Sequence, residues 1–244
     1  MAFLALLSEN TPKRGSQFLP MPSSSVPDFN LISPVYDALA KLVYGKSQQR
    51  AQAHFLSCIP AGARVLILGG GSGWILNQVL QHSTPAHVLF LEASSKMLEK
   101  AKGNVLPTAS KTTVEFRLGT EASLSSSEMF HVVLTPFVLD LFTPQQAYAM
   151  MQRLDQALFP TGLWLHTDFY LSPSPLRKIW QKPLLWGMYW FFGLVSGILG
   201  KTLPPFESLF QKLGYKPQQE AFFYGKFIRA QVLQKAALLA KTSK

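Results

Sequence analysis

Cysteine is almost missing from this chain. Cys58 stands alone among 244 residues, so neither an intramolecular disulfide nor a multi-cysteine metal site can form, and no metal is expected. A single thiol suits a reducing compartment. Acidic residues are also scarce, with 13 Asp+Glu against 23 Lys+Arg and a formal charge of +10. The deficit is regional: residues 171–244 hold 2 acidic and 11 basic side chains, a balance of +9, whereas residues 1–170 balance at +1. A near-neutral first part without an RNA- or DNA-reading motif argues against nucleic acid as a partner. No Lys or Arg precedes the short apolar run Phe3 to Leu7, which falls short of a signal sequence, so the expected location is cytoplasmic. No internal repeat is found.

Hydrophobic residues make up 48% of the chain, enough for one medium α/β core and too much for a disordered polymer. Residues 8–28 carry Pro12, Pro20, Pro22, Pro27 and the run Ser23 to Ser25, a composition that predicts a flexible leader over 1–28. Residues 29–244 then read as a single domain with an apolar insertion at about 171–203. Val35, Leu39, Leu42 and Val43 predict an amphipathic helix ending near Gly45, and a second helix is expected over about 47–57. Val65-Leu66-Ile67-Leu68 is a continuous apolar run bounded by glycines, the pattern of a parallel strand buried on both faces. Further strands are predicted at 87–91, 114–118, 132–135 and 163–167, with helices between most of them, including 94–102 and 145–158. Such alternation predicts a Rossmann-like, doubly wound α/β sheet. Residues 221–224 and 227–233, joined by Gly225-Lys226, predict an antiparallel hairpin at the C-terminal end of an otherwise mostly parallel sheet.

The densest signal is Gly69-Gly70-Gly71-Ser72-Gly73, after one predicted strand and opening a helix. Glycine lets a ligand approach the backbone, and the helix N-terminus offers free N–H groups, which together suit a nucleotide-like ligand. The dinucleotide pattern G-x-G-x-x-G fails in both registers, because its last position would be Trp74 or Leu76. Glu92 lies nineteen residues beyond Gly73, at the end of the second predicted strand. A carboxylate there can accept from two ribose hydroxyls, or serve only as a solvated helix-end charge.

The spacing G-x-G-x-G resembles the first motif of class I S-adenosylmethionine-dependent methyltransferases, matched at Gly69, Gly71 and Gly73, with Ile67 where the family has an acidic residue. The resemblance implies S-adenosylmethionine as cofactor, with the loop against its methionine part. The segment from Glu92 through Ala93, Ser94 and Met97 to Leu98 is similar to the family's E-x-S-x-x-M-L. That similarity implies contacts from Glu92 and Ala93, a helix cap at Ser94, and Met97 near the adenine or in the core. After the third strand, Thr120 or Glu121 would receive the adenine amino group, and His131 replaces a common Asp. Phe29 to Asp37 looks like the lid entrance of quinone-biosynthesis-type methyltransferases, in which Tyr36 would touch the cofactor, close the site, or pack in the core.

The cofactor already carries the electrophile, so positioning supplies much of the catalysis, and a base is needed only where the acceptor loses a proton. Ligands of such sheets bind beyond the carboxyl ends of the strands, where Thr135, Phe137, Asp168 and Tyr170 should gather, Thr135 on the cofactor side. Asp168 and His166 share one side of the fifth strand and are the candidate bases, with a structural pair as the other reading. Residues 183–200 carry no charge and hold Trp186, Tyr189, Trp190, Phe191 and Phe192. One membrane crossing would put the final hairpin on the wrong side, so the stretch reads as a buried helix, an interfacial helix or the wall of a pocket for a small hydrophobic acceptor. With Arg177, Lys178, Lys182 and Lys201 at its borders, peripheral contact with anionic membranes is an expectation as well. Ile67, Thr120 and His131, all at family acidic positions, support the alternative of a non-catalytic binding or assembly protein that keeps the fold.

Overall fold

The structure, a computed structural model, describes residues 45–106, 111–196 and 202–236. The expected leader and the first expected helix lie outside these residues. Helix α1 (Ser47–Ala53) and a 3-10 turn (Leu56–Cys58) lead into β1 (Arg64–Leu68), α2 (Trp74–His82), β2 (His87–Glu92), α3 (Ser95–Gly103) and β3 (Thr113–Leu118). After β4 (Phe130–Pro136) come α4 (Pro144–Gln156), β5 (Leu158–Phe169), α5 (Pro175–Ser196), α6 (Phe206–Lys212), β6 (Tyr215–Phe223) and β7 (Ile228–Lys235).

The strands form one seven-stranded sheet in the order β3-β2-β1-β4-β5-β7-β6. β1 to β5 are parallel, and β7 runs antiparallel to both β5 and β6. The architecture is thus the doubly wound, Rossmann-like sheet with a C-terminal antiparallel pair that the sequence predicts. Both faces are covered. Val65, Ile67, Val88 and Phe90 pack under Ile75, Leu76 and Val79 of α2 and Leu98 of α3. Leu66, Leu68, Leu89, Leu91, Val133 and Trp164 pack under Met150, Met151 and Leu154 of α4 and Leu209 and Phe210 of α6. Double burial is why β1 carries no polar alternation.

Three boundaries differ from the sequence reading. α4 ends at Gln156, and Leu158 already pairs with Phe130, so β5 is longer than expected. β6 begins at Tyr215 rather than 221. After the buried Tyr215, residues Lys216 to Glu220 are exposed, include Pro217 and have a register shift between Pro217 and Gln219, all tolerated because β6 is the edge strand. α6, unexpected from sequence, is a seven-residue helix held by the burial of Phe206, Leu209 and Phe210.

α2 starts against α3. Gly73 sits at φ +90°, and a Cβ added there would lie 2.9 Å from the Ala101 Cα. Gly73→Ala therefore meets backbone strain and a backbone clash together, and should lose about 1–3 kcal/mol of stability in urea denaturation. An unchanged midpoint would mean that α2 and α3 separate freely.

Candidate active site

The site is built where β1 and β2 end. The Gly69 N–H donates to the Leu91 carbonyl at 2.8 Å, which ties the start of the glycine loop to β2. At Gly71, with φ +60°, the direction a side chain would take is open space. Gly73 precedes α2 and supplies no side-chain cap, so the first N–H groups of the helix face outward without one. Glu92 is buried at the end of β2. Its Oε2 accepts the Gly71 N–H at 3.0 Å and its Oε1 accepts the Ser94 N–H at 2.9 Å. Burial raises the carboxyl above its ordinary pKa, opposed by N–H donation from Ser94, Gly71 and Ala93. Each oxygen keeps a lone pair for a further donor.

The turn after Glu92 is equally ordered. Ser94 caps α3, its hydroxyl accepting the Met97 N–H at 3.2 Å, and Met97 is buried while Ala93 is half-buried beside Glu92. Asn104, at the far end of α3, donates to the Ser72 carbonyl at 3.0 Å and holds the glycine loop from its other side. Leu118 ends β3 in register with Glu92 and is exposed, an apolar surface beside the carboxylate that the sequence reading missed. The Thr120 hydroxyl accepts the Ala122 N–H and caps a 3-10 turn, Glu121–Ser123. Glu121 is raised by burial, with the Arg153 charge opposing, and its Oε2 has no partner among the described residues. Ile67 is wholly in the core, so the family's acidic group at that position is truly replaced by packing. His131 has the surface structural role, its Nδ1 accepting the Arg64 N–H at 3.0 Å. Tyr36 lies outside the described residues.

A second polar group lies under α6, at the ends of β4 and β5. The Trp164 indole N–H donates to the Thr135 hydroxyl at 3.0 Å, and that hydroxyl lies 3.2 Å from His166 Nδ1. The Thr135 hydroxyl thus bridges the indole and the imidazole. Burial pushes His166 down to about 3, helped by the Arg229 charge. Its ring packs against Phe206 and Phe210. Thr135 is a fully buried hydroxyl, and His166 is a buried imidazole with Nδ1 towards it.

Asp168 is different. It and Asp140, from the 3-10 turn Leu139–Leu141 after β4, are each 1% exposed and within hydrogen-bond distance of one another. Asp168 Oδ1 accepts the Phe169 N–H at 2.8 Å, while Asp140 Oδ1 and Asp168 Oδ2 have no donor among the described residues. One proton held between the carboxyls would satisfy both oxygens. Burial pushes Asp140 up to about 7, and burial together with the Asp140 charge holds Asp168 well above the carboxylate range. The guanidinium of Arg229, opposite Asp168 on β7, is engaged by Glu207 at 2.5 Å and lies 4.6 Å from the Tyr170 ring centroid. Asp140 was missed in the sequence, although a lone carboxylate inside Phe137-Val138-Leu139-Asp140-Leu141-Phe142 is a legible anomaly. Phe137, which opens this segment, has φ +54°, a costly conformation for a bulky residue and one found at functional sites.

Residues 65–162 match the family model described as a methyltransferase domain. No curated protein matches the sequence. Among solved structures, the mitomycin 7-O-methyltransferase superposes with a TM-score of 0.60 at 16% identity, over 82% of this chain and 57% of that one. The N-methyltransferase NodS from Bradyrhizobium japonicum, in complex with S-adenosylhomocysteine, gives 0.59 at 12% identity over 85% of this chain and 95% of that one. The Burkholderia thailandensis 1,6-didemethyltoxoflavin-N1-methyltransferase, with that compound and S-adenosylhomocysteine bound, gives 0.58 at 14% identity over 84% of each chain. The fold is the Rossmann-like methyltransferase fold.

The carboxyl pair gives stability a pH dependence. Both folded-state pKa values lie above the unfolded ones, so the contribution is complete below about pH 4 and is lost as pH rises through about 7 for Asp140. His166, with its pKa lowered, acts oppositely and adds stability as pH rises towards about 6.5. Urea unfolding midpoints should therefore fall as pH rises from about 4 to about 7, opposed in part by His166 up to about 6.5, and Asp140→Asn, which puts an amide in place of that carboxyl, should flatten the fall. Parallel curves for the wild type and Asp140→Asn would show that the pair holds no proton.

Proposed function

We propose that this chain, with its methyltransferase domain, transfers the methyl group of S-adenosylmethionine to a small, hydrophobic acceptor. The observation that carries the reading is the Glu92 carboxylate at the end of β2, bonded to the Gly71 N–H with open space at Gly71. These features fit the cofactor: a loop bare of side chains, an uncapped helix start, and a buried acceptor of hydrogen bonds with lone pairs to spare. Gly69, Gly71 and Gly73 lie against the methionine part, Glu92 takes the ribose hydroxyls, and Ala93, Met97 and Leu118 line the adenine. Thr120 or Glu121 receives the adenine amino group; the unpartnered Glu121 Oε2 favours Glu121. Residues 29–244 are read as one domain with its apolar insertion, and Tyr36 is assigned to the cofactor site on the resemblance at Phe29 to Asp37 alone.

The bound cofactor supplies an electrophilic methyl group on a sulfonium. Asp168, sharing a proton with Asp140, is the group assigned to take a proton from the acceptor where one must leave. Burial and proximity to the other carboxyl raise its basicity well above that of an ordinary carboxylate, the direction a general base needs. Solved neighbours named for mitomycin and bound to 1,6-didemethyltoxoflavin support a small-molecule acceptor. The subtype we favour is the quinone-biosynthesis type, on the resemblance at Phe29 to Asp37. The protein is placed in the cytoplasm with peripheral membrane contact. The second reading, a binding or assembly protein without transfer, draws on Ile67, whose burial removes one polar contact to the cofactor.

Titration calorimetry should detect S-adenosylhomocysteine binding and none of NAD, and the opposite result ends the proposal. Glu92→Gln, which turns an amide N–H towards one of the loop donors, should weaken binding by about 2–4 kcal/mol without unfolding the protein. Radiolabelled S-adenosylmethionine incubated with a cell extract should label an organic-extractable small molecule. Binding without any labelled product would favour the non-catalytic reading.

A further inference from the structure

Helix α5 has two faces, and the fold uses one. Gln181, Leu185, Met188 and Tyr189 form the inner face and are buried. Gln181 Nε2 donates to the carbonyls of Gly225 at 3.4 Å and Lys226 at 3.2 Å, and its Oε1 accepts the Ser172 N–H at 2.9 Å. These bonds fix α5 on the turn between β6 and β7. The other face carries Leu176, Ile179, Pro183, Trp186 and Trp190, offset by three or four residues along one stripe. Leu176, Ile179, Trp186 and Trp190 are 77, 72, 70 and 59% exposed. Of the seven large apolar side chains exposed among the described residues, five belong to α5, so the exposure is concentrated rather than scattered.

Charge identifies the occupant. α5 contains Arg177, Lys178 and Lys182, and the sequence has no acidic residue between Asp168 and Glu207. Lys226 is exposed in the turn that Trp180 packs against at Gly225. None of these cations is in an ion pair among the described residues. A second copy of the chain docked through the same stripe would bring like charges together. Residues 1–44 hold three basic and three acidic side chains and offer no surplus of carboxylates. Among the described residues no helix is long and apolar enough to cross a membrane, so an apolar stripe of this kind lies along a surface.

Resting on the peripheral-membrane reading above, we propose that the outer face of α5 is the docking surface for an anionic lipid bilayer. Leu176, Ile179, Trp186 and Trp190 enter the boundary between headgroups and acyl chains, the helix lies parallel to the membrane, and Arg177, Lys178, Lys182 and Lys226 meet lipid phosphates.

Co-sedimentation of the full chain with phosphatidylcholine vesicles, with and without phosphatidylglycerol, tests this. The wild type should pellet with the anionic vesicles at low salt, be released at high salt, and show a blue shift of tryptophan emission. A Trp186→Ser/Trp190→Ser double variant and Lys182→Glu should each bind about tenfold or more weakly. Both alter exposed side chains, and unchanged circular dichroism checks their folding. Equal binding by the double variant would overturn α5 as the docking face while leaving a peripheral membrane protein. No pelleting of the wild type would overturn both. A dimer seen by sedimentation velocity and abolished by the double variant, with no lipid binding, would assign the stripe to a second copy and equally overturn the proposal. None of these results depends on methyl transfer.

Discussion

The Glu92 carboxylate joins two loops that nothing else brings together so directly. One oxygen holds the Gly71 N–H and the other the Ser94 N–H, so the β1–α2 loop and the β2–α3 turn are fixed by a single buried side chain. The sheet provides the registration: Leu68 pairs with Leu91, and the Gly69 N–H reaches the Leu91 carbonyl. Given those anchors, Ser72 is held by Asn104 and α2 starts with its N–H groups outward. A buried carboxylate that loses such donors would carry an uncompensated desolvation penalty, which is why this one is multiply bonded. The same carboxylate is thus structural before any ligand arrives, and a ribose would add to an acceptor already oriented.

What was legible in the sequence follows from local chemistry. Val65 to Leu68 reads as a strand because both faces are buried, and the glycines read as a loop because Gly69, Gly71 and Gly73 all take positive φ, although only Gly71 of the three faces open space while Gly69 and Gly73 pack against Val138 and Ala101. Ser94 was legible as a cap for the same reason: one hydroxyl satisfies an N–H of the next turn. The start of β6 was hidden because an exposed edge strand imposes no alternation on Lys216 to Glu220. Asp140 was hidden because its meaning lies in Asp168, twenty-eight residues away in sequence, across a strand pairing that only the folded sheet creates. For Thr135 and His166 the strand position was right, but the side on which each side chain is committed depends on Trp164 and on α6, an element the sequence did not announce.

Burial acts on β5 in opposite directions two residues apart. At His166 it removes the charge by keeping the imidazole unprotonated; at Asp168 it removes charge by keeping a proton on the carboxyl pair. The nearby cation does not undo this, since Arg229 is engaged by Glu207 and stacked on Tyr170. His166 and the two aspartates therefore carry little net charge together, and Asp140, pushed up to about 7, is the one of the three whose proton moves near neutral pH.

That pair also sits at a junction in the chain. Asp168 ends β5, and seven residues later Pro175 begins α5, whose inner face is bonded to the β6–β7 turn and whose outer face is apolar and flanked by cations. α5 and α6 lie in the connection from β5 to β6, two strands that run parallel with β7 between them, so the chain has to cross over a face of the sheet here.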